Sequence, residues 1–234
     1  HQNPYLECNL AYMEEHGVHL TRRHSGGGAV YQDLGNSIFT FLSNKNIFSK
    51  PNNFQIIKNA MQKLGFSVDV SGRNDMTIFV PDLSLDKDAV NVNSGFIPGC
   101  DLKISGSAFK AMQNAELHHG TLLVDVDMDQ MTTILTPSQL KLESKGIKSV
   151  RSRVINLKNV PDLLQRAIDT YGEGVLLRKN PTSGQYEETS VSLTRGNFVD
   201  KVDHSVICDT LQSSFVEYYD TPSVDYLLSD ELMT

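Results

Sequence analysis

Arg22-Arg23-His24-Ser25-Gly26-Gly27-Gly28 gathers two cations, an imidazole, a hydroxyl and a run of glycines into one short stretch. Glycine reaches backbone angles closed to other residues. Without Cβ atoms, successive N–H groups can approach an anion closely and form a concavity that favours it. Taken alone, the run is as readily a β-turn beside two solvated arginines. It is not a Walker A loop, because no Gly-Lys-Ser/Thr follows, and it lacks the G-x-G-x-x-G dinucleotide pattern. A second candidate is Lys103 in Lys103-Ile104-Ser105-Gly106-Ser107. On a strand, Lys103, Ser105 and Ser107 share one face by period two, with Leu102, Ile104 and Ala108 on the other. Gly106 opens room for a ligand. An ammonium there can bridge a carboxylate and an α-phosphate and stabilise charge building at phosphorus. The plainer alternative is a solvated lysine on an amphipathic strand.

The elements that must position these residues follow from periodicity. Leu6 to His16 reads as a helix stopped by Gly17, and Val18 to Arg23 as a strand entering the glycine turn. Arg22 and Arg23 would then point to opposite faces. Ala29 to Tyr31 and Ser37 to Leu42 are strand candidates. Phe54 to Leu64 is an amphipathic helix, with Asn52 or Asn53 as its cap and Gly65 at its end. Phe66 to Val70 and Met76 to Val80 flank the turn Ser71–Asp75, and Pro81 to Cys100 reads as a polar loop. Leu102 to Met112 and Gly120 to Val126 pair through the linker 113–116. Helices are expected at Gln130–Leu135, Ser138–Ser144, Pro161–Tyr171 and Ser205–Tyr218, with a hairpin of Val175–Arg178 and Tyr186–Leu193. Strands outnumber helices without regular alternation, so the fold class is α+β, with mixed β-sheets flanked by helices.

Composition bounds the partners. The chain has 234 residues, net charge −7 and 39% apolar residues. That balance fits a globular domain and argues against nucleic acid or an anionic membrane as the main partner. Apolar runs are too short to span a bilayer. Cys8, Cys100 and Cys208 form neither a disulfide framework nor a zinc site, and the histidines show no metal-ligand spacing. No Gly-x-Ser-x-Gly elbow is present, which disfavours a serine hydrolase.

In order and approximate spacing, six segments resemble the lipoate-protein ligase and lipoyltransferase family: Gln2–Pro4, Arg22–Asn36, Ser71–Asp75, Lys103–Ala108, His118–Leu123 and Lys145–Val154. The likeness runs from residue 2 to about 158 and weakens beyond. It implies a biotin/lipoate-ligase-like α+β fold and a single catalytic domain, residues 1–234. It also implies a two-step reaction. Lipoate and MgATP give lipoyl-AMP, and the lipoyl group then passes to a carrier lysine. Implied partners are the lipoyl domains of 2-oxoacid dehydrogenase E2 subunits and the glycine-cleavage H protein, met by a monomer. Carried over by motif, Arg23 and the backbone of Gly28, Ala29, Val30 and Tyr31 hold the nucleotide. Lys103 contacts both the lipoate carboxylate and the α-phosphate, and Ser25, Gly26 and Gly27 shape the lipoate side of the loop. Asn74 and Asp75 stand near phosphate or Mg²⁺, or form an Asx-capped turn. No metal is assigned a dedicated protein site.

Three departures from the family pattern set further expectations. The segment expected before Gln2-Asn3-Pro4 is missing, the loop before Lys103 is longer than in the bacterial pattern, and the C-terminal accessory domain of bacterial ligases is missing. The opening His1–Asn9 leans toward a eukaryotic enzyme of the mitochondrial matrix, with a bacterial cytoplasmic enzyme as the alternative. An ATP-independent amidotransferase moving octanoyl or lipoyl groups between carriers stays open, and so does a non-catalytic acyl-binding module. Cys100, as a thioester nucleophile, is a minor candidate because nothing nearby depresses its pKa. His118 and His119 alternate faces at a strand entrance, so that one can touch the site, with a hydrogen-bonded structural histidine as the plainer alternative. Arg151 and Arg153 suit an acidic carrier or solvent equally.

Overall fold

The computed structural model describes residues 3–72, 74–85, 95–135, 154–194 and 202–221. The expected helix Ser138–Ser144, Arg151 and Arg153 lie outside the described residues.

A 3₁₀ turn, Pro4–Leu6, leads into helix α1, Leu10–Glu15, whose cap Asn9 accepts the Tyr12 N–H at 3.2 Å. Strand β1 is Asn36–Asn44 and helix α2 is Lys50–Lys63. Strands β2, Val68–Ser71, β3, Asp75–Pro81, β4, Phe96–Ala111, and β5, Ala115–Leu123, follow. Next come α3, Met128–Ile134, α4, Val160–Tyr171, β6, Gly174–Lys179, β7, Tyr186–Leu193, and α5, His204–Tyr219. The sheet order is β1-β5-β4-β3-β2, with β6 joined to β4 and β7 to β6. All pairings are antiparallel except β4–β6. The expected α+β mixed sheet is therefore observed.

Capping sets the helix limits. Ser49 caps α2 and Pro51 sits in its first turn, so the helix begins four residues before Phe54. Phe54, Ile57, Ala60 and Met61 then face the core, joined by Met76, Ile78, Ile97, Ile104 and Leu122. Asp203 caps α5 through the Val206 N–H.

Four expectations need correction. Residues 18–23 and 29–31 are not strands: among the described residues no neighbouring strand pairs with them. Strand β4 begins at Phe96, so Cys100 stands inside a strand opposite Val80. Strand β5 begins at Ala115 and ends at Leu123; the turn is shorter than periodicity suggests, and His118 and His119 lie within the strand.

The fourth concerns the lysine strand. In the β3–β4 ladder Met76 pairs with Ser105, yet Thr77 pairs with Lys103, leaving Ile104 as an extra residue. This bulge breaks the period-two alternation. Ile104 and Ser105 are both interior, at 0% and 1% exposure. Lys103 therefore shares the outer face with Gly106 rather than with Ser105. On the opposite edge of β4 its carbonyl accepts the Ile155 N–H at 3.1 Å.

Candidate functional site

The glycine stretch has no ladder to hold it, so side chains hold it instead. Arg23 folds back on its own loop: Nη2 donates to the carbonyls of Gly26 and Gly28, both at 2.8 Å, and Nε donates to Gly26 at 3.3 Å. Gly27 has φ +111°, and a Cβ there would lie 2.6 Å from Arg23 Nη2. The guanidinium thus packs where only glycine leaves room. From the other side, the buried Glu7 carboxylate accepts the Ala29 N–H at 2.5 Å. Glu7 is a positioning residue that sequence reasoning missed, since an acid a few residues beyond the Pro4 turn carries no pattern of its own.

Lys103 leans over Gly106, whose missing side chain would meet Nζ at 3.4 Å and Asp75 Oδ1 at 3.7 Å. Its ammonium pairs with Asp75 at 2.9 Å. Asn74 is fixed twice: its Oδ1 accepts from Lys50 Nζ at 2.9 Å, and its carbonyl accepts the Ser107 N–H at 2.9 Å.

The two halves face each other across one cavity of about 400 Å³, within the roughly 300–1,000 Å³ range of small-molecule sites. Arg23, Gly26, Gly27, Gly28, Ala29, Val30, Asn74, Asp75, Lys103 and His119 all line it. Gln32, Ala108, Gly120 and Thr121 line it too and were not anticipated. Two expected residues stand elsewhere. Ser25 borders a separate outer cavity with Glu7 and Cys8, but its Oγ is hydrogen-bonded to His119 Nε2 at 2.6 Å. The Tyr31 hydroxyl points toward α3, 3.5 Å from Gln130 Oε1, and burial together with the Asp33 carboxylate raises its pKa. None of the three cysteines lines the Lys103 cavity, and burial and Glu7 push the Cys8 thiol up. Among the described residues no group of three His, Cys, Asp or Glu side chains could hold a metal ion, and no helix is long and apolar enough to cross a membrane.

The adjacent histidines divide between the two faces of β5. Burial, and then the Arg23 charge, lower the pKa of His119 on the cavity side. His118 is fully buried on the core side, packed against Phe39, Phe41, Phe54 and Phe109. The expectation of a hydrogen-bonded histidine fails for it: among the described residues neither ring nitrogen has a partner. Burial in this aromatic box, with His119 and Lys50 adding to it, lowers its pKa from 6.5 to about 4. Between those values the unfolded chain binds a proton that the folded chain refuses, so stability rises with pH there. The stability is complete above about pH 6.5 and is lost as pH falls toward 4, by about 3 kcal/mol. Denaturant titrations at pH 4.5 and 7.5 should show His118→Leu losing much less stability than wild type on acidification.

The lipoyl protein ligase A/B catalytic domain model matches residues 1–170. Lipoate-protein ligase A of Psychrobacter cryohalolentis is 49% identical over 156 residues, 67% of this chain and 40% of that protein. Lipoate-protein ligase A of Blochmanniella floridana is 36% identical over 228 residues, 97% of this chain and 51% of that protein. Among solved structures, a bi-partite lipoate protein ligase of Thermoplasma acidophilum superposes with a TM-score of 0.61 at 21% identity, over 98% of this chain and 69% of that one; this likeness supports the fold alone. The chain thus spans about half the length or less of these curated relatives. Both are bacterial, which gives the eukaryotic leaning of the opening residues no support. The family match over residues 1–170, with the motif residues gathered on one cavity, leads to one conclusion: this chain belongs to the lipoyl protein ligase A/B catalytic-domain family.

Proposed function

We propose that this chain carries the catalytic site of a lipoate-protein ligase, which activates lipoate with MgATP as lipoyl-AMP and passes the lipoyl group to a lysine of a lipoyl carrier domain. The observation that carries this reading is the single cavity shared by the glycine loop and Lys103. Arg23 holds the carbonyls of Gly26 and Gly28 and so fixes the loop, a glycine-rich backbone of the kind whose N–H groups suit phosphate oxygens. Lys103 stands opposite, as an ammonium must to bridge a carboxylate and an α-phosphate and to neutralise charge as the two join. Mg²⁺ commonly comes with substrate phosphates and one or two carboxylates, and Asp75 is the carboxylate lining this cavity. The residues therefore fit a nucleotide-borne ion better than a dedicated metal site.

The lipoyl domains of E2 subunits and the H protein are the acceptors we propose. Lipoate-dependent exchange of labelled pyrophosphate into ATP tests the reading. Exchange followed by lipoyl transfer to a carrier domain is expected. Transfer between carriers in its absence would instead establish an amidotransferase.

A further inference from the structure

An acceptor lysine reaches a site of this kind overwhelmingly as an ammonium, because its pKa is about 10.4. It has no lone pair with which to attack an acyl carbonyl until a proton is removed. Among the described residues, four ionisable side chains line the cavity: Arg23, Asp75, Lys103 and His119. Two are cations, and the Asp75 carboxylate is held by Lys103 Nζ at 2.9 Å. His119 is what remains. Its ring stands on the cavity face of β5 opposite the small Ala108, two residue pairs from the Gly106–Thr121 pair. That spacing sets it roughly 7 Å along the sheet from the Gly106 position over which Lys103 leans. Ser25 Oγ, 2.6 Å from Nε2, ties the ring to the loop.

We propose that His119, oriented by the Ser25 hydroxyl, is the general base that deprotonates the acceptor lysine in the transfer step. The inference rests on the ligase reading above. The ammonium gives one proton to the neutral imidazole of His119, leaving a neutral amine and an imidazolium. The amine nitrogen then bonds to the acyl carbon, and the bond from that carbon to the phosphate oxygen breaks. The electron pair and the second amine proton leave on the phosphate oxygen of AMP. Burial and Arg23 keep the imidazole below its usual pKa, so it starts neutral at pH 7. The charges around it are Arg23 from the loop, Lys103 of β4 and Asp75 of β3, while His118 of the same strand faces the core.

The test supplies lipoyl-AMP directly to the full chain at pH 7. It compares acylation of a single-lysine peptide with acylation of hydroxylamine, a nucleophile already neutral at that pH. His119→Gln should slow the lysine reaction by about 100-fold, the usual scale of general-base catalysis. The lysine-to-hydroxylamine rate ratio should fall at least about tenfold, and Ser25→Ala should lower it as well. The ratio is internal to each variant, so lost folding or weaker adenylate binding cancels. An unchanged ratio in both variants, or a lipoyl ester recovered on Ser25, would overturn the assignment. A wild-type protein that acylates neither nucleophile would refute the ligase reading itself.

Discussion

On the function proposed above, replacing Lys103 with alanine is expected to cut lipoyl-AMP formation by roughly a hundred- to a thousandfold, the scale seen when a preorganised charge-stabilising group is removed. The fold should hardly notice. The Lys103–Asp75 pair is about a third to a half exposed, at 30% and 45% of side-chain surface, and such pairs contribute at most about 1 kcal/mol. Arginine should restore little, because a planar fork does not reproduce a point charge resting over Gly106. Pyrophosphate exchange would report the loss, and thermal unfolding would confirm the fold. An alanine variant with exchange near wild type would remove Lys103 from the chemistry.

The largest effect on stability is expected at Gly35. Its carbonyl accepts the N–H groups of Val124 and Asp125 at 3.0 and 2.9 Å, tying the entry of β1 to the exit of β5. A Cβ at this position would lie 2.1 Å from the Asp125 carbonyl oxygen and 2.5 Å from the Val126 nitrogen. These are backbone atoms that no rotamer change can move aside. Gly35→Ala should therefore cost about 4 kcal/mol, at the severe end for a single substitution, and lower Tm by about 10 °C. A melting temperature within two or three degrees of wild type would show that the crossing can open without penalty. Gly26, whose added Cβ would meet nothing within 4 Å, is the matched control.

Much of this was legible in the sequence, for identifiable reasons. The 3.6-residue pattern of Phe54, Ile57, Met61 and Leu64 announces α2, because its apolar stripe is what the core requires. The start of the helix escaped, since Asn53 looks like a cap but is buried at 1%, while Ser49 does the capping. The glycine loop and Lys103 could be named as site residues because their chemistry is local. The flanking strands could not: extended backbone clamped by Arg23 and Glu7 looks, residue by residue, like strand. Nor could the aromatic box around His118, which joins residues from β1, α2, β4 and β5 that only the folded sheet assembles.

The bulge at Ile104 sets a rule for recognising this site in other chains. Two interior residues, Ile104 and Ser105, separate the lysine from the glycine over which it leans. Strict alternation allows one. A sequence in which the lysine stands two positions before that glycine would have to flatten the strand, and one that kept the bulge would turn its lysine into the apolar interior. The spacing Lys-x-x-Gly, more than the presence of either residue, is therefore the diagnostic to carry into distant relatives. It also marks the point where a one-residue deletion should be intolerable.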